Sequence, residues 1–168
     1  MFALETAREN PCFSVLGTIP MRIITTRFGA VEIEASDVLS FARGVLGFES
    51  CRQWILLADA ANEAVGWLQC VTRPDLALPV VSPRRFAPEF QVRVARQQLM
   101  PIELTDPDQA YILVVVGKSA QGLTLNLRAP IIINLDRRLG CQVVGGDEQP
   151  TAHLISAVPT KVPLRKSA

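Results

Sequence analysis

The chain has 168 residues, of which 49% are hydrophobic and 20% are charged, and its formal net charge is +1. This length suits one domain with a single core, and the near-neutral charge gives no reason to expect nucleic acid as a direct partner. No stretch approaches the roughly 18 to 20 consecutive apolar residues that a membrane-spanning helix requires, so no membrane partner is predicted.

Two terminal segments are predicted to lie outside the folded domain. Residues 1–20 carry Glu5 and Glu9 where a secretory signal would change from charged to apolar, so they are interpreted as a loose N-terminal extension. Residues 156–168 are rich in proline and basic residues and are predicted to form a mobile tail. The domain itself is therefore predicted to span residues 21–155.

Short strands dominate the first half of this domain. Two of them, Met21–Thr26 and Ala30–Glu34, are joined by a turn at Gly29, and the second alternates apolar and acidic residues as in a sheet with one face in water. The glycine-broken segment 41–50 is predicted to be a shaped loop. Four further strands are predicted at residues 53–58, 66–71, 77–83 and 89–95, the last with Phe90, Val92 and Val94 on one face.

The second half contains the only helical candidate, residues 95–104, which Pro101 keeps short. Residues 110–118 are predicted to form a buried central strand, and residues 123–135 two more strand segments. Pro130 fits a strand start or a bend there, because its missing N–H costs nothing at such a position.

A last strand is predicted within residues 141–146. About nine short strands separated by turns favour an all-β fold, mainly antiparallel, in a small barrel-like single domain with at most one or two short helices. The residues predicted to be core are Trp54, Trp67, Ile112, Val114 and Ile132.

The residue types that usually carry chemistry are sparse. The cysteines are scattered and His153 is the single histidine, so we predict no metal site, no cofactor and no disulfide needed for folding. No nucleophile motif of the G-x-S-x-G kind accompanies His153, which is therefore interpreted as structural or exposed. The pair Gly44 and Gly47 lacks the context of a phosphate loop and is interpreted as a tight turn. No catalytic residue is predicted.

The segment Pro83–Phe90, "PRRFAPEF", leaves three interpretations open. Its aromatic side chains could anchor a loop to the core. Alternatively, with the two arginines before them, they could form an apolar and cationic patch that binds a protein, since aromatic residues and arginine are enriched at interfaces. A platform for single-stranded nucleic acid uses the same residue types, but the overall charge balance and the acidic neighbours disfavour it. The asparagines on either side of the run at 130–133, Asn126 and Asn134, could fix turns or contact a partner, and a structural role is favoured.

Five stretches in this order resemble the FliW family of flagellar assembly factors: "FARGVLGFES", "WLQC", "SPRRFAPEFQVRV", "TLNLRAPIIIN" and "RRLGCQVV". The resemblance covers roughly residues 21–155. It implies a small, barrel-like, non-enzymatic cytoplasmic protein that binds flagellin and the translational regulator CsrA, a small RNA-binding dimer. It further implies that flagellin occupies the protein while it accumulates, and that the freed protein then captures CsrA and relieves repression of flagellin translation.

The chain departs from the family pattern in three places. Cys70 stands where serine is usual, Phe90 where tyrosine is usual, and residues 145–155 match poorly. The family tends to be acidic, whereas this chain is near neutral, so electrostatic steering toward CsrA should be weaker. The residues predicted to bind a partner are Phe48, Glu49, Arg84, Arg85, Phe86, Glu89, Phe90, Asn126 and Arg128.

Two alternatives to the main functional prediction stay open at this point. One is a flagellin chaperone that does not bind CsrA. The other belongs to a different class of protein, a small β-barrel enzyme with a cofactor, such as a flavin-binding split barrel.

Overall fold

The computed structural model describes residues 20–146 and 148–155, and these are mostly β-structure. The one α-helix among them, α1, is Arg96–Leu99, and short 3-10 turns occupy Ala35–Asp37, Pro83–Arg85, Met100–Ile102 and Pro107–Gln109. The strands are β1 (Met21–Thr25), β2 (Gly29–Ile33), β3 (Leu39–Phe41), β4 (Gln53–Ala58), β5 (Val65–Cys70), β6 (Ala77–Val81), β7 (Ala110–Ser119), β8 (Gly122–Leu125), β9 (Ile131–Asn134), β10 (Leu139–Gln142) and β11 (His153–Leu154).

Seven of the strands form a closed barrel in the order β3, β4, β5, β6, β7, β9 and β10, with β10 returning to β3. Every neighbouring pair is antiparallel except β10 and β3, which are parallel and place Gly140 beside Phe41. The long strand β7 pairs with β9 through its first half and with β8 through its second half, so β8 and β11 extend outside the ring. The all-β, barrel-like fold predicted from the strand pattern is confirmed.

The barrel interior is organised around two aromatic rings. Trp54 and Phe41 are completely buried and meet edge to face, with ring centroids 6.4 Å apart. The indole Nε1 of Trp54 donates a hydrogen bond to the carbonyl oxygen of Cys51 at 2.8 Å, so the polar atom of this buried side chain is satisfied. Val114 and Ile132 are also buried, as predicted.

Two residues predicted to be core are only half-buried. Trp67 points out of the barrel, where the turn between β1 and β2 covers it: the Arg27 guanidinium lies 3.6 Å from the ring centroid, and Phe28 packs against its edge. Ile112 lies on the outer side of β7, next to Leu113, which joins the main core. The prediction was wrong for both because neither side chain faces the barrel interior, so its burial depends on what covers the outer face of its strand. Val114 and Ile132 also lie on an outer face, and they are buried because other segments pack over them.

The segment Pro130–Asn134 takes the form that its sequence suggests. Pro130 directly precedes β9, where it loses no ladder bond as a donor, and its carbonyl still accepts from the N–H of Val143. Asn126 accepts a hydrogen bond from the N–H of Ala129 and so closes the turn before the proline. Asn134 is buried and donates to the carbonyl of Ile102 at 3.0 Å. Both asparagines therefore have structural hydrogen bonds.

The predicted strand at residues 89–95 is absent. Residues 91–95 have the alternating burial of a strand but pair with no other strand in the described part of the chain. Sequence periodicity reports how side chains face, and it carries no information about whether a neighbouring strand is present.

Candidate partner-binding surface

The loop between β3 and β4 has a fixed shape. Gly44 has a φ of +68°, and a Cβ atom there would lie 2.6 Å from the carbonyl oxygen of Glu49, so only glycine fits. A β-bridge joins Val45 to Phe48, and the N–H of Phe48 donates to the carbonyl of Val45 at 2.7 Å. The side chains of Val45 and Phe48 pack into the main core. Backbone hydrogen bonding and the packing of its apolar side chains therefore both fix the shape of the loop.

This rigid loop exposes one large apolar residue. Leu46 lies between buried Val45 and Gly47, and its side chain is 49% exposed. The N–H of Leu46 donates to the side-chain oxygen of Gln142 at 2.9 Å, and the amide of Gln142 in turn donates to the carbonyl of Ala129 at 2.8 Å. Gln142 thus connects the Leu46 loop to the turn that carries Asn126 and Arg128.

Leu46 stands at the side of an open groove of about 460 Å³, which we call the Leu46 groove. Val144, which also lines the groove, is 52% exposed, and Met100, next to the lining residue Pro101 in sequence, is 69% exposed. Arg43 and Glu49 supply charges of both signs at its edge. An apolar surface with a polar rim is the usual composition of a protein-binding site.

Glu49 is held in its charged form at this edge. Its carboxylate accepts a hydrogen bond from the N–H of Gly47 at 2.9 Å, and this bond, together with one from its own backbone, lowers the pKa of the carboxyl group. An ionised Glu49 at neutral pH both closes the turn and presents a negative charge beside Leu46.

Glu49 is expected to make the stability of the protein depend on pH. Because its pKa is lower in the folded than in the unfolded state, its stabilising contribution is present above the unfolded value of about 4.3 and is lost as pH falls through the folded value. Urea unfolding of the parent and of Glu49→Gln should therefore give a difference at pH 7 that shrinks toward pH 3. Glu89→Gln is the matched control, since the Glu89 carboxylate has no hydrogen-bond partner among the described residues. A difference for Glu49→Gln that stays constant with pH would contradict this role.

The predicted residues of the segment Pro83–Phe90 lie elsewhere on the barrel. Arg84, Arg85 and Glu89 are exposed, whereas Phe86 and Phe90 are half-buried against a cluster that contains Val81, Leu125 and Leu127. The aromatic side chains therefore anchor this segment to the fold. The two arginines diverge, because Arg84 lines a cleft with Gln91 and Asp108, and Arg85 lines another with Val65 and Glu63.

The turn after β8 lies between these two regions. Asn126 and Arg128 belong to this turn, and the carbonyl of Arg128 accepts from the N–H of Gly145 at 2.7 Å. Leu127 in the same turn packs in the cluster that holds Phe86 and Phe90. The turn therefore touches both predicted regions, the Leu46 loop through Gln142 and the segment Pro83–Phe90 through Leu127. The Leu46 loop and the segment Pro83–Phe90 nevertheless line different clefts.

Comparison with known proteins identifies the family. The family model described as FliW protein matches residues 22–155, which is most of the chain.

The chain belongs to the FliW family.

Curated relatives support this membership. A flagellar assembly factor FliW from Bdellovibrio bacteriovorus is 36% identical over 126 residues, which cover 74% of this chain and 72% of the relative. A second flagellar assembly factor FliW, from Natranaerobius thermophilus, is 34% identical over 127 residues, which cover 74% of this chain and 84% of the relative. A crystal structure of the flagellar assembly factor FliW superimposes with a TM-score of 0.75 at 28% identity, covering 84% of this chain and all of that one.

The structure of this FliW chain brings together side chains that the sequence analysis missed. Leu46, Gln142 and Val144 line the Leu46 groove, and only Leu46 had a local signal, an apolar residue in the glycine-bounded stretch "GVLG". The partner of Gln142 lies 96 residues away in sequence, so no local pattern could reveal it.

The FliW relatives are named for assembly, and their names state no chemical reaction. Within residues 20–146 and 148–155, no group of three or more histidine, cysteine or acidic side chains is placed to hold a metal ion. His153 lies in β11 opposite Leu125 of β8. None of the helices in the described part of this FliW chain has the length and apolar character to cross a membrane.

Proposed function

We propose that this chain is a non-enzymatic, cytoplasmic flagellar assembly factor that binds flagellin and antagonises CsrA, and so couples flagellin synthesis to export. Membership of the FliW family supports the role in flagellar assembly. The observation that carries the binding role is Leu46, a half-exposed apolar residue on a loop whose shape is fixed by Gly44 and Gln142.

A fixed loop favours binding for a thermodynamic reason. Ordering a flexible loop at an interface costs conformational free energy, and a loop that is already ordered avoids that cost. Exposed apolar side chains on such a loop gain from burial, at roughly 25 cal/mol for each square ångström removed from water. Leu46 on this loop has the exposure needed for this gain, and so has Val144, which follows β10 and lines the same groove.

The coupling between the two partners follows from mass action. While flagellin is abundant, it occupies the assembly factor and leaves CsrA free to repress translation. After flagellin is exported, free assembly factor accumulates and captures CsrA. No enzymatic step is required, because each partner lowers the concentration of free assembly factor that is available to the other.

Isothermal titration of the purified protein with flagellin and with CsrA tests this function. Leu46→Ser removes the exposed apolar group, and we expect at least about a tenfold weaker affinity for flagellin, equivalent to about 1.4 kcal/mol. Leu123→Ser is the matched control, because Leu123 is 39% exposed but lies on β8 and does not line the Leu46 groove. Arg85→Glu, which reverses an exposed charge, should alter the affinity for one partner more than for the other. If Leu46→Ser and Arg85→Glu both leave the affinities for flagellin and CsrA unchanged, the binding surface includes neither residue.

A flagellin chaperone that does not bind CsrA is the second candidate. The formal net charge of +1 favours it, because an RNA-binding partner is basic and a near-neutral protein steers it weakly. In the same titrations, heat of binding with flagellin and none with CsrA would select this function.

A further inference from the structure

Residues 91–94 have the alternating exposure of a β-strand but are not paired with any strand in the described part of the chain. Gln91 and Arg93 are exposed while Val92 and Val94 are half-buried, which is the two-residue period of a strand. Val92 and Val94 pack against a cluster formed by Ile102, Ile132 and Val143. One side of this segment is therefore fixed to the fold, as in a strand at the edge of a sheet.

The backbone of this segment is unpaired. Among the described residues, the N–H and C=O groups of residues 91–94 make no hydrogen bond. Both ends of the segment are held, since the N–H of Phe90 donates to the carbonyl of Ala87 and the N–H of Ala95 donates to the side chain of Gln98. Most backbone groups in folded proteins find a partner, so a held segment with free donors and acceptors can pair with another chain.

A slot of about 340 Å³ lies to one side of this segment and is lined by residues 90–94. Phe90, Val92, Val94, Leu127 and Pro130 give it an apolar lining. Gly145 and Gly146 also line it, and an added Cβ atom at Gly146 would meet nothing within 4 Å. The missing side chain at Gly146 leaves space in which a second backbone can approach closely.

We propose that this slot binds an extended segment of a partner protein, which adds as a β-strand along residues 91–94 with apolar residues facing inward and acidic residues facing outward. The apolar lining sets the inward positions. Arg93 sets the outward ones, because a carboxylate directly across from it forms a favourable cross-strand pair. Arg84 and Arg96, both exposed, flank the segment with the same sign, whereas the exposed Glu89 precedes it and Glu148 lines the slot as carboxylates. The site is distinct from the Leu46 groove and does not depend on which partner occupies that groove.

Hydrogen–deuterium exchange of the full-length protein tests the proposal with two synthetic hexapeptides. One alternates glutamate with valine, and the other alternates lysine with valine. With the glutamate peptide at saturation, we expect exchange of the backbone amides of residues 91–94 to slow by about tenfold or more, because strand addition gives them hydrogen-bond partners. The lysine peptide should give no such protection at the same concentration.

Two variants separate binding in the slot from unspecific association. Gly146→Val projects a side chain into open space, so it should leave folding intact and remove the protection. Ala152→Val is the control, since Ala152 is exposed and does not line the slot. The proposal is overturned if neither peptide protects residues 91–94, if both protect them equally, or if Gly146→Val leaves the protection unchanged. If neither peptide gives protection, the charge of Arg93 would instead serve to prevent other strands from pairing with this exposed edge. The flagellin titrations do not depend on any of these outcomes.

Discussion

Gly140→Ala is expected to destabilise the protein by about 3 kcal/mol, because it forces extra volume into a packed core. Gly140 lies on β10 beside Phe41 of β3, and a Cβ atom at this position would overlap the Phe41 ring. The ring is completely buried and packs against Trp54, so it has no free space to move into. Urea unfolding measured by fluorescence gives the free energy of unfolding for the parent and the variant.

Two comparisons identify the Phe41 ring as the cause. Gly146→Ala, the control, places its Cβ atom in open space and should change the free energy of unfolding by no more than about 0.5 kcal/mol. Phe41→Leu replaces the ring with a smaller side chain, so the double variant with Gly140→Ala should be more stable than the sum of the two single changes predicts. If the two changes are additive in this double-mutant cycle, or if Gly140→Ala is as stable as the parent, then Gly140 does not pack tightly against the Phe41 ring between β3 and β10.

Gly44→Ala is expected to reduce both stability and flagellin affinity. The substituted residue must hold a left-handed backbone, which costs roughly 1–2 kcal/mol, and its Cβ atom would also collide with the carbonyl oxygen of Glu49 at 2.6 Å. The loop has to open to relieve this collision, and Leu46 then loses its fixed position. We therefore expect more than about 2 kcal/mol of destabilisation and at least about a tenfold loss of flagellin affinity in the folded variant.

Gly47→Ala separates the collision from the backbone strain. Gly47 has a φ of +82°, but a Cβ atom there would meet nothing within 4 Å, so only the left-handed cost of roughly 1 kcal/mol applies. This variant should keep its flagellin affinity when titrated under conditions where it is fully folded. Equal loss of affinity in both variants would show that the shape of the loop around Gly44 is not what presents Leu46.

Strand-forming segments and turns were largely readable from local patterns. The alternation of Val31 and Ile33 with acidic residues marked β2, and the breakers around residues 110–118 marked the ends of β7. Local patterns did not predict that Trp67 faces outward, where it is covered by Arg27 from the turn of the other sheet. They also failed at residues 91–94, whose strand-like period exists without a partner strand.

The candidate surface was only partly predictable. Glu49 and Phe48 were selected because the glycine-rich loop had aromatic and charged residues side by side. The structure places Glu49 in the lining of the Leu46 groove, whereas the Phe48 side chain packs against the main core. Phe86 and Phe90 were selected for the same reason, yet they serve to anchor their segment. An aromatic residue in a loop has the same sequence signal whether it faces solvent or core, so the two roles separate only in three dimensions.

The strand-rich class of the fold and the positions of its glycine-dependent turns could be read from the amino-acid sequence, because they depend on side-chain size and backbone freedom, which are local quantities. The family could be read from the order of its motifs along the chain. Three features became visible only in the folded structure: β10 closes the barrel against β3, Gln142 fixes the Leu46 loop, and residues 91–94 lack a partner strand. Each of these features depends on groups brought together from distant parts of the chain, and the pairing they adopt follows from the packing of the whole barrel.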